Sequence, residues 1–273
     1  MTVIAMTREI GSLGTDVAAE VAKELNLSIV DSEDVATLVA GRMGIEEGTI
    51  RRYADGSASI LERWLIDRRK LSHYTSEEVL RLAQEGNVLI RGWGAATLLH
   101  DMPHVISVRV CAPMAFRVRV MMRKMGISNA ETVRQEIERF DTAHARVMRG
   151  FFNVEPDAAL LYHIILNTGR VPIDNCVKAV LQLAQSPQFQ DEAAMKSAAA
   201  DKLLETKVRA TLVENFGSQM IAVTVSAANG RVMLDGASSN GGLRARAERL
   251  ARGIEGVLDV SNRIHSIRSH GRI

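Results

Sequence analysis

The sequence contains few cysteines, and the two it has are far apart. Cys111 and Cys176 each lie within an apolar segment of the 273-residue chain. A disulfide framework needs more cysteines, and a zinc site needs cysteine or histidine pairs that are missing here. His100 and His104 are four residues apart, but Pro103 interrupts the helix that would bring them together. The sequence therefore predicts buried, reduced thiols and no metal centre built from these side chains.

Long apolar runs are also missing. Hydrophobic residues make up 47% of the chain, as in an ordinary globular protein. No run reaches the roughly eighteen apolar residues that cross a bilayer. The N-terminus enters a strand pattern at once, so we read no signal peptide. We expect a cytoplasmic protein without a transmembrane segment.

A large net charge is absent as well. The formal net charge is only +2, which gives no reason to expect a nucleic-acid partner. Residues 1–195 sum to about −3 and residues 196–273 to about +5, so the basic excess lies in the tail. Such an excess marks either a solvated face or an anion-binding surface.

One glycine-containing turn lacks the lysine that would complete a P-loop. Residues 2–6 predict a buried strand, and the apolar spacing after Gly14 predicts a helix. A strand that turns into a helix N-terminus offers free amides and a favourable dipole to phosphate. The P-loop pattern requires lysine after its last glycine, whereas Thr15 and Asp16 follow Gly14 here. The turn is predicted to hold phosphate, although its cation must come from elsewhere.

Five apolar segments separated by helical patterns predict a parallel sheet. They are residues 2–6, 27–32, 87–90, 104–110 and 160–168. Because alternating strands and helices form βαβ units, residues 1–186 are predicted to form one doubly wound, three-layer αβα domain. Inserted helices are predicted at residues 43–53, 60–71 and 76–85. The inserted region is a candidate for the substrate pocket, or its charges form a solvated face.

Polar residues end two of these strands, at the edge where ligands bind in open α/β folds. Asp31 and Ser32 follow the second strand, and Arg91 follows the third. Either Asp31 and Ser32 face a ligand, or one of them only caps the next helix; the pattern supports both readings equally. Arg91 lies where a cation can meet an anionic ligand.

Two linked predicted helices, residues 114–125 and 129–149, are rich in arginine. Their members include Arg117, Arg123, Arg134 and Arg146. Guanidinium donates two parallel hydrogen bonds to phosphate oxygens, so arginines converging from two helices can neutralise a transferring phosphate. A solvated helix face has the same composition, and both interpretations stay open.

The tail has a different organisation. Residues 187–200 are predicted to form a polar, alanine-rich linker. Residues 201–268 predict a helix, a hairpin that turns at Asn229-Gly230, a second helix and a third strand. This αββαβ order indicates a small α+β domain. Because it offers no nucleophile or paired carboxylates, we predict an interaction module.

Several motifs together resemble the cytidylate kinase-like family over roughly residues 2–184. They are Thr7-Arg8-Glu9-Ile10-Gly11-Ser12-Leu13-Gly14, Ile29-Val30-Asp31-Ser32, Cys111-Ala112-Pro113 with Phe116-Arg117-Val118-Arg119, residues 141–146, and Tyr162-His163-Ile164-Ile165-Leu166-Asn167-Thr168-Gly169. The tail resembles the BON domain, a module associated with phospholipid or other surface binding. That match is carried by Val232, Leu234, Gly236, Gly256, Val257, Val260 and Asn262.

The kinase resemblance implies a P-loop kinase-type sheet, ATP, Mg²⁺ and a CMP or dCMP acceptor. The residues implied for the phosphate loop are Gly11, Ser12, Gly14 and Thr15, with Asp16 or Thr15 near Mg²⁺. Asp31, Ser32 and Asp141 would face the acceptor, and Arg91 is assigned to the same substrate. The lid would be supplied by Arg117, Arg123, Arg134 and Arg146. Arg8 is the candidate for the charge of the missing lysine.

Two functions remain open for such a chain. One is a kinase that moves the ATP γ-phosphoryl to CMP, dCMP or a related nucleoside monophosphate. The alternative is a catalytically weak or inactive nucleotide-binding protein that regulates what the BON-like domain contacts. The BON resemblance implies phospholipid or protein contact for the tail, with Arg244, Arg249 and Arg252 as candidates for binding anionic lipid.

Overall fold

The computed structural model describes residues 1–54, 58, 66–217, 223–238 and 242–266. The chain divides into two compact units, Met1–Met195 and Lys196–Ile273. Parts of three predicted elements lie outside the described residues. These parts are residues 60–65 of the second inserted helix, residues 221–222 of the first hairpin strand and residue 267 of the last strand.

A five-stranded parallel sheet forms the centre of the first unit. Its strands are β1 (Val3–Arg8), β2 (Ser28–Val30), β3 (Val88–Arg91), β4 (Val105–Cys111) and β5 (Ile164–Asn167). They lie in the order β2-β3-β1-β4-β5, and each neighbouring pair is parallel. The central strand β1 is buried up to Thr7 because it is covered on both faces. The prediction of a doubly wound parallel α/β sheet is confirmed.

Helices cover this sheet. They are α1 (Gly14–Leu25), α2 (Ser32–Met43), α3 (Glu47–Ala54), α4 (Arg68–Glu85), α5 (Ala95–Leu98), α6 (Met114–Met125), α7 (Ala130–Val147) and α8 (Ile173–Ala184). Val17 and Val21 of α1, Val180 of α8, and Ile4 and Met6 of β1 belong to one buried cluster. Elsewhere α2 packs against α4, and α4 contacts β3. The 3.6-residue spacing of apolar side chains therefore buries one stripe of α1, as the sequence predicts.

The inserted helices differ from prediction in one respect. The pattern predicts one helix ending at residue 71 and another beginning at residue 76, but α4 is continuous across this point. Ser76-Glu77-Glu78 has the composition of a helix start. In the structure Glu77 instead forms an ion pair with Arg42 of α2, and Glu78 is also buried and paired. The predicted break was wrong because these carboxylates stabilise the interior of a longer helix.

The fifth strand is shorter than predicted. Residues 160–168 are apolar enough for one strand, yet β5 spans four residues and a 3₁₀ turn occupies Ala159–Leu161. Leu160 in that turn is 92% exposed. Pairing with β4 sets the start of β5, since the His163 N–H donates to the Ser107 carbonyl at 2.9 Å just before it. An apolar run alone does not show where a ladder begins.

The second unit has the predicted αββαβ order. Helix α9 (Glu192–Phe216) is followed by β6 (Val223–Ala228), β7 (Arg231–Ser238), α10 (Leu243–Arg252) and β8 (Asp259–Ser266). The sheet order is β6-β7-β8, with the first pair antiparallel and the second parallel. Val208 and Leu212 of α9, Leu234 of β7 and Ala247 of α10 are buried in one cluster. This is a small two-layer α+β fold.

The β6–β7 turn has the conformation that its sequence indicates. Asn229 and Gly230 have φ values of 49° and 75°, and a type I′ turn requires positive φ at both positions. The Asp201 carboxylate of α9 accepts hydrogen bonds from the N–H groups of Asn229 (2.9 Å) and Gly230 (3.2 Å). The turn is thereby fixed to the helix that packs beside it.

Residues 187–200, predicted as a linker, contain regular structure. A 3₁₀ turn occupies Pro187–Phe189, and α9 begins at Glu192 rather than near residue 203. Phe189 and Met195 are buried. Alanine favours helix, so the composition that indicates a linker is equally suited to the start of α9. The domain limits 1–186 and 201–268 stay predictions. Among the described residues, none of the helices combines the length and apolar character needed to span a bilayer.

Candidate active site

Buried hydrogen bonds stabilise the conformation of the loop between β1 and α1. Its Ser12 is fully buried, and the Ser12 hydroxyl donates to the carbonyls of Glu9 (2.7 Å) and Val110 (3.3 Å). The Thr168 hydroxyl donates to the Ser12 carbonyl at 2.6 Å. Gly11 and Leu13 have positive φ values of 76° and 57°. The positive φ values give the loop a tight turn, and the buried hydrogen bonds of Ser12, a predicted phosphate-loop residue, stabilise it.

The same loop presents unpaired amides to a cleft of about 580 Å³. Within the described part of the chain, the N–H groups of Gly11, Leu13, Gly14 and Thr15 donate to no protein acceptor. Thr15 and Asp16 are exposed in the first turn of α1. Successive free amides at a helix N-terminus form a concave anion site. The geometry of this loop is suited to phosphate oxygens.

Gly11 and Gly14 are required by close packing around the loop. A Cβ atom at Gly11 would lie 2.8 Å from the Arg117 carbonyl oxygen, and one at Gly14 would lie 2.7 Å from Cβ of Arg8. Gly11 also needs its positive φ. The first glycine therefore lets α6 approach the loop, and the second lets the loop pass close to the end of β1.

Arg8, the last residue of β1, lies where two clefts meet. It lines the loop cleft and also a second cleft of about 520 Å³, bounded by the ends of β2 and β3 and by α7. Among the residues that the structure describes, its guanidinium has no ion-pair or hydrogen-bond partner. The pKa of Arg8 is lowered, first by withdrawal from water within the cleft and then by Arg91, while Asp31 opposes this. Part of the Arg8 side chain nevertheless stays exposed to solvent. Within the described part of the chain, Arg8 is therefore a cation that no carboxylate contacts directly.

Asp31 caps α2, and both Asp31 and Ser32 line the second cleft. The Asp31 carboxylate accepts hydrogen bonds from the N–H groups of Glu33 and Asp34 at the start of α2. Its other oxygen pairs with Nη2 of Arg91 at 3.0 Å. Partial burial raises the pKa of Asp31, but these backbone donors and Arg91 outweigh it and hold the pKa below its usual value. The two readings of this residue are therefore compatible.

Arg117 is tied into the protein rather than free for a ligand. Its side chain is only 5% exposed. Nε donates to the Ile10 carbonyl at 2.7 Å, and the two Nη atoms donate to the Asp141 carboxylate at 2.8 and 2.7 Å. The carboxylate of Glu9 lies 3.6 Å from Nη1 of Arg117 and 2.9 Å from Nη2 of Arg109. Arg117 and Asp141 thus join α6 and α7 to the loop.

The other predicted lid arginines are placed differently from one another. Arg123 is exposed and lines the loop cleft. Arg134 lies near Glu131 and Glu138, at 3.9 and 4.0 Å, about 10 Å along the α7 axis from Asp141. Arg146 is exposed on another face of α7. Neither Arg134 nor Arg146 is among the described residues that line the two clefts. An arginine count along a helix does not show which side chains face inward.

Three residues of the second cleft were not singled out from the sequence. Arg109 lies within the buried strand β4, and its Nη1 donates to the Pro156 carbonyl. A charged residue inside an apolar strand was a usable signal, since such a charge needs a partner. That partner is Glu9, which also accepts from the Ala112 N–H at 3.2 Å. His144 of α7 also lines the cleft and carries no comparable sequence signal.

The tail arginines considered for lipid contact differ in their pairing. Arg252 forms ion pairs with Glu248 (3.1 Å) and Asp259 (3.5 Å). Arg244 donates to the Asn262 carbonyl at 3.1 Å. Arg249 is exposed. Two of the three guanidinium groups are thus already engaged within the tail.

Comparison with protein families gives two matches. Residues 3–170 match the cytidylate kinase-like family, and residues 200–267 match the BON domain. The first match covers the sheet, the loop and both clefts. The second covers most of α9 and the small sheet that follows it.

Named relatives and one solved structure agree with these matches. A cytidylate kinase from Saccharolobus islandicus is 22% identical over 182 residues, covering 65% of this chain and 90% of that relative. A cytidylate kinase from Pyrobaculum islandicum is 25% identical over 181 residues, covering 66% of this chain and 91% of the relative. An uncharacterized protein from Eubacterium ventriosum superposes with a TM-score of 0.54 at 17% identity, over 68% of this chain and 99% of its own. This last likeness concerns the fold.

Proposed function

The chain belongs to the cytidylate kinase-like family, and we propose that its first unit transfers the γ-phosphoryl group of ATP to a nucleoside monophosphate, CMP or dCMP. Two phosphate-bearing substrates must meet for this reaction. The proposal is supported above all by Arg8, which lines both the loop cleft and the second cleft and whose guanidinium has no ion-pair or hydrogen-bond partner among the described residues.

The loop cleft is the proposed ATP site. Its free amides and the exposed Arg123 and Lys124 suit a triphosphate. Mg²⁺ prefers oxygen ligands and is usually held by one or two carboxylates together with substrate phosphates. The exposed carboxylate of Asp16 and hydroxyl of Thr15 fit that role, where Mg²⁺ would neutralise phosphate charge.

The second cleft is the proposed acceptor site. Arg91 is fixed by Asp31, and both line this cleft beside Arg8. Ser32 adds a hydroxyl, which donates to the Arg91 carbonyl at 3.3 Å. A monophosphate entering here would gain two cations without displacing one from a buried pair. Asp141, for which the resemblance implies a role near the acceptor, also lines this cleft while paired with Arg117.

The protein's contribution to such a reaction is position and charge. In-line phosphoryl transfer requires no covalent bond to the protein, and catalysis comes from alignment and from neutralising the charge on the transferring oxygens. Arg8 is proposed to take the place of the missing lysine, because it can reach phosphates in both clefts. Arginine offers two parallel donors to phosphate, which lysine does not.

The test is ADP formation by the purified full chain with ATP, Mg²⁺ and a panel of nucleoside monophosphates. We expect turnover with CMP or dCMP. Arg8→Ala should lower kcat about 10²- to 10³-fold, the usual loss when one charge-stabilising contact to a transition state is removed. Arg8→Lys should retain part of the activity because it keeps the charge. Arg139→Ala is the matched control, since Arg139 is an exposed arginine that pairs with Glu136 of its own helix and lies outside the residues that line the two clefts.

Two results would contradict the proposal. One is the absence of turnover with every acceptor although calorimetry shows ATP and CMP bound, which would support the regulatory alternative. The other is full activity of Arg8→Ala, which would remove the role given to that residue.

A further inference from the structure

The segment that joins α7 to β5 ends in a histidine that has no part in the proposed reaction. The segment begins with a π-helical turn, Met148–Phe152, and continues to His163, the residue just before β5. Residues 155–157 border the second cleft, to which the carboxyl ends of β1, β2 and β3 also contribute. Because the sheet is parallel, the start of β5 lies on its opposite side. The segment therefore runs from the cleft to the far end of the sheet, where His163 attaches it.

Ser107 of β4 holds both the backbone and the ring of His163. The His163 N–H donates to the Ser107 carbonyl at 2.9 Å and lies 3.1 Å from the Ser107 Oγ. The ring atom Nδ1 accepts from the Ser107 N–H at 3.1 Å. Since Nδ1 thus carries no proton, the Ser107 hydroxyl, 2.7 Å away, also donates to it. A carbonyl of the neighbouring strand normally accepts such an N–H, but Ala159–Leu161 form a 3₁₀ turn. The imidazole takes the place of a backbone acceptor where β5 begins.

The preceding residue connects this attachment to the cleft. The Tyr162 hydroxyl donates to the Pro156 carbonyl at 2.9 Å, and Nη1 of Arg109 donates to the same carbonyl. The Arg109 guanidinium also lies over the Tyr162 ring, 5.8 Å from its centroid. Pro156 borders the second cleft. The position of this part of the cleft wall therefore depends on where Tyr162 and His163 enter the sheet.

The His163 ring also contacts the turn that follows α8. It packs edge-to-face with the buried Phe189, at a centroid distance of 5.2 Å. His104, just before β4, contacts the Gln188 carbonyl in the same turn through Nδ1, at 2.6 Å. The His163 ring is therefore held on two sides, by Ser107 and by Phe189.

The charged groups around the ring favour its neutral form. His100, which follows α5, acts on it as a second basic group. Arg109, further along β4, is directed to Glu9 at 2.9 Å. Among the described residues, no carboxylate pairs with His163. Partial burial, and then His100, lower the pKa of His163 below its ordinary value. Part of the side chain nevertheless stays exposed, so protons reach it.

A proton on Nδ1 is incompatible with this arrangement. The Ser107 hydroxyl can rotate and accept, but the Ser107 N–H is fixed in the backbone and can only donate. Two donors would then point at each other across the 3.1 Å between these nitrogens. The charged ring must therefore move away, and the N–H of the buried Ser107 loses its acceptor.

We propose that His163 is a pH-sensitive anchor, which holds residues 155–162 and the cleft wall they form to β4 while its ring is neutral and releases them when the ring is protonated. The pKa of His163 is lower in the folded chain than the ordinary value of about 6.5, so the unfolded or released chain binds more protons as the pH falls below that value. The anchor is intact at neutral pH and is lost as the pH falls through the folded pKa. This inference concerns the conformation of the wall and does not depend on the proposed reaction.

Hydrogen exchange of the full chain, followed by mass spectrometry between about pH 7.5 and about pH 4.5, tests the anchor. Protection factors are compared, because they correct for the pH dependence of chemical exchange itself. Those of residues 155–164 should fall at least about tenfold over this range, while those of α1 stay within about twofold. NMR of the imidazole gives the titration midpoint of His163. It should lie below about 6.5 and coincide with the midpoint of the loss of protection.

His163→Asn separates the anchor from the charge. The asparagine Oδ1 atom lies near the position of Nδ1 in histidine, can accept both Ser107 hydrogen bonds and does not titrate. Protection of residues 155–164 in this variant should therefore stay within about twofold over the same pH range. His265→Asn is the matched control, since His265 is an exposed histidine of β8 in the second unit. It should keep the pH dependence of the wild type.

Ser107→Ala tests the ring contact without removing the ring. This variant keeps the backbone N–H but lacks the hydroxyl that donates to Nδ1 and favours the neutral ring. The titration midpoint of His163 should therefore rise toward its ordinary value, and the loss of protection should move to higher pH by the same amount.

Three results would overturn the inference. The first is constant protection of residues 155–164 in the wild type while NMR shows that the ring titrates. The second is an equal loss of protection in His163→Asn, which would assign the change to other groups. The third is a His163 ring that titrates at its ordinary pKa. If His163→Asn does not fold, Ser107→Ala decides, and an unchanged titration midpoint in that variant would contradict the anchor.

Discussion

Arg117 illustrates how a single side chain links three segments of the first unit. The bidentate pair with Asp141 joins two helices, and the hydrogen bond to the Ile10 carbonyl reaches the loop. This role differs from the lid contact that the resemblance implies. Arg117 is therefore expected to act on phosphate only through the position of the loop.

Replacement of Arg117 tests this role. Arg117→Ala should lower the free energy of unfolding by about 2 kcal/mol, less than the about 3–5 kcal/mol of a fully buried pair, because Asp141 is partly exposed. The free energy of unfolding of Arg117→Lys should lie between those of the wild type and Arg117→Ala, since lysine keeps the charge but cannot form the bidentate contact. Urea unfolding gives the stability, and calorimetry gives the ATP affinity, which should fall as the loop loses its support. Unchanged stability together with lost phosphoryl transfer would instead indicate direct contact with phosphate.

Single residues differ in how far the sequence could predict them. Arg8 could be predicted because it lies three residues before Gly11 of the glycine-containing turn, and the missing lysine left a charge to be supplied. The pairing of Arg117 could not be predicted because its partner Asp141 lies on another helix, 24 residues away. Among the described residues, the buried Nε2 atom of His144 has no hydrogen-bond partner, and this depends on what the fold packs around it. Local sequence indicates which groups are present, and packing decides which of them stay free.

At the scale of elements, Asp31 makes the start of α2 sensitive to pH. The pKa of Asp31 is lower in the folded chain than its ordinary value of about 3.9. The stability this gives is fully present above the ordinary pKa and is lost as the pH falls through the lower, folded pKa. Asp31→Asn keeps a good helix cap but removes the charge that pairs with Arg91.

The variant should therefore be less stable than the wild type at neutral pH by about 1 kcal/mol or less, because the carboxylate is a third exposed. Chemical unfolding between pH 7 and pH 3 should show this difference shrinking below about pH 4. A difference that stays constant over that range would mean that the charge of Asp31 contributes nothing.

The elements themselves were predicted unevenly, for physical reasons. The three inner strands β1, β3 and β4 were found because buried strands read as apolar runs. The ends of β5 were misplaced because pairing with β4, not apolarity, sets them. Within the continuous α4, Glu77 pairs with Arg42 of α2, a contact between helices that the local sequence does not show. The π-turn at Met148–Phe152 has no spacing pattern that reveals it.

For the molecule as a whole, ligand binding should affect the two units unequally. A ligand that binds only the native state stabilises it by about 2.7 kcal/mol at a hundredfold excess over Kd. Hydrogen exchange on the full chain, with ATP, Mg²⁺ and CMP, should show slower exchange at residues 9–16, near both clefts. Residues 223–266 should exchange at the same rate with and without nucleotide. Slowed exchange throughout the tail would instead favour a nucleotide-controlled interaction domain.

Arg8 and the free amides of the loop belong to different elements of the first unit. Arg8 ends a strand that pairs with β4 up to Val110, whereas a P-loop carries its lysine on the helix that follows the loop. Movement of residues 10–13 therefore need not carry the charge with it. Residues 10–13 could therefore be replaced or lengthened by design while Arg8 keeps its position in β1. In a P-loop, where the lysine follows the loop on the helix, the same change would move the cation.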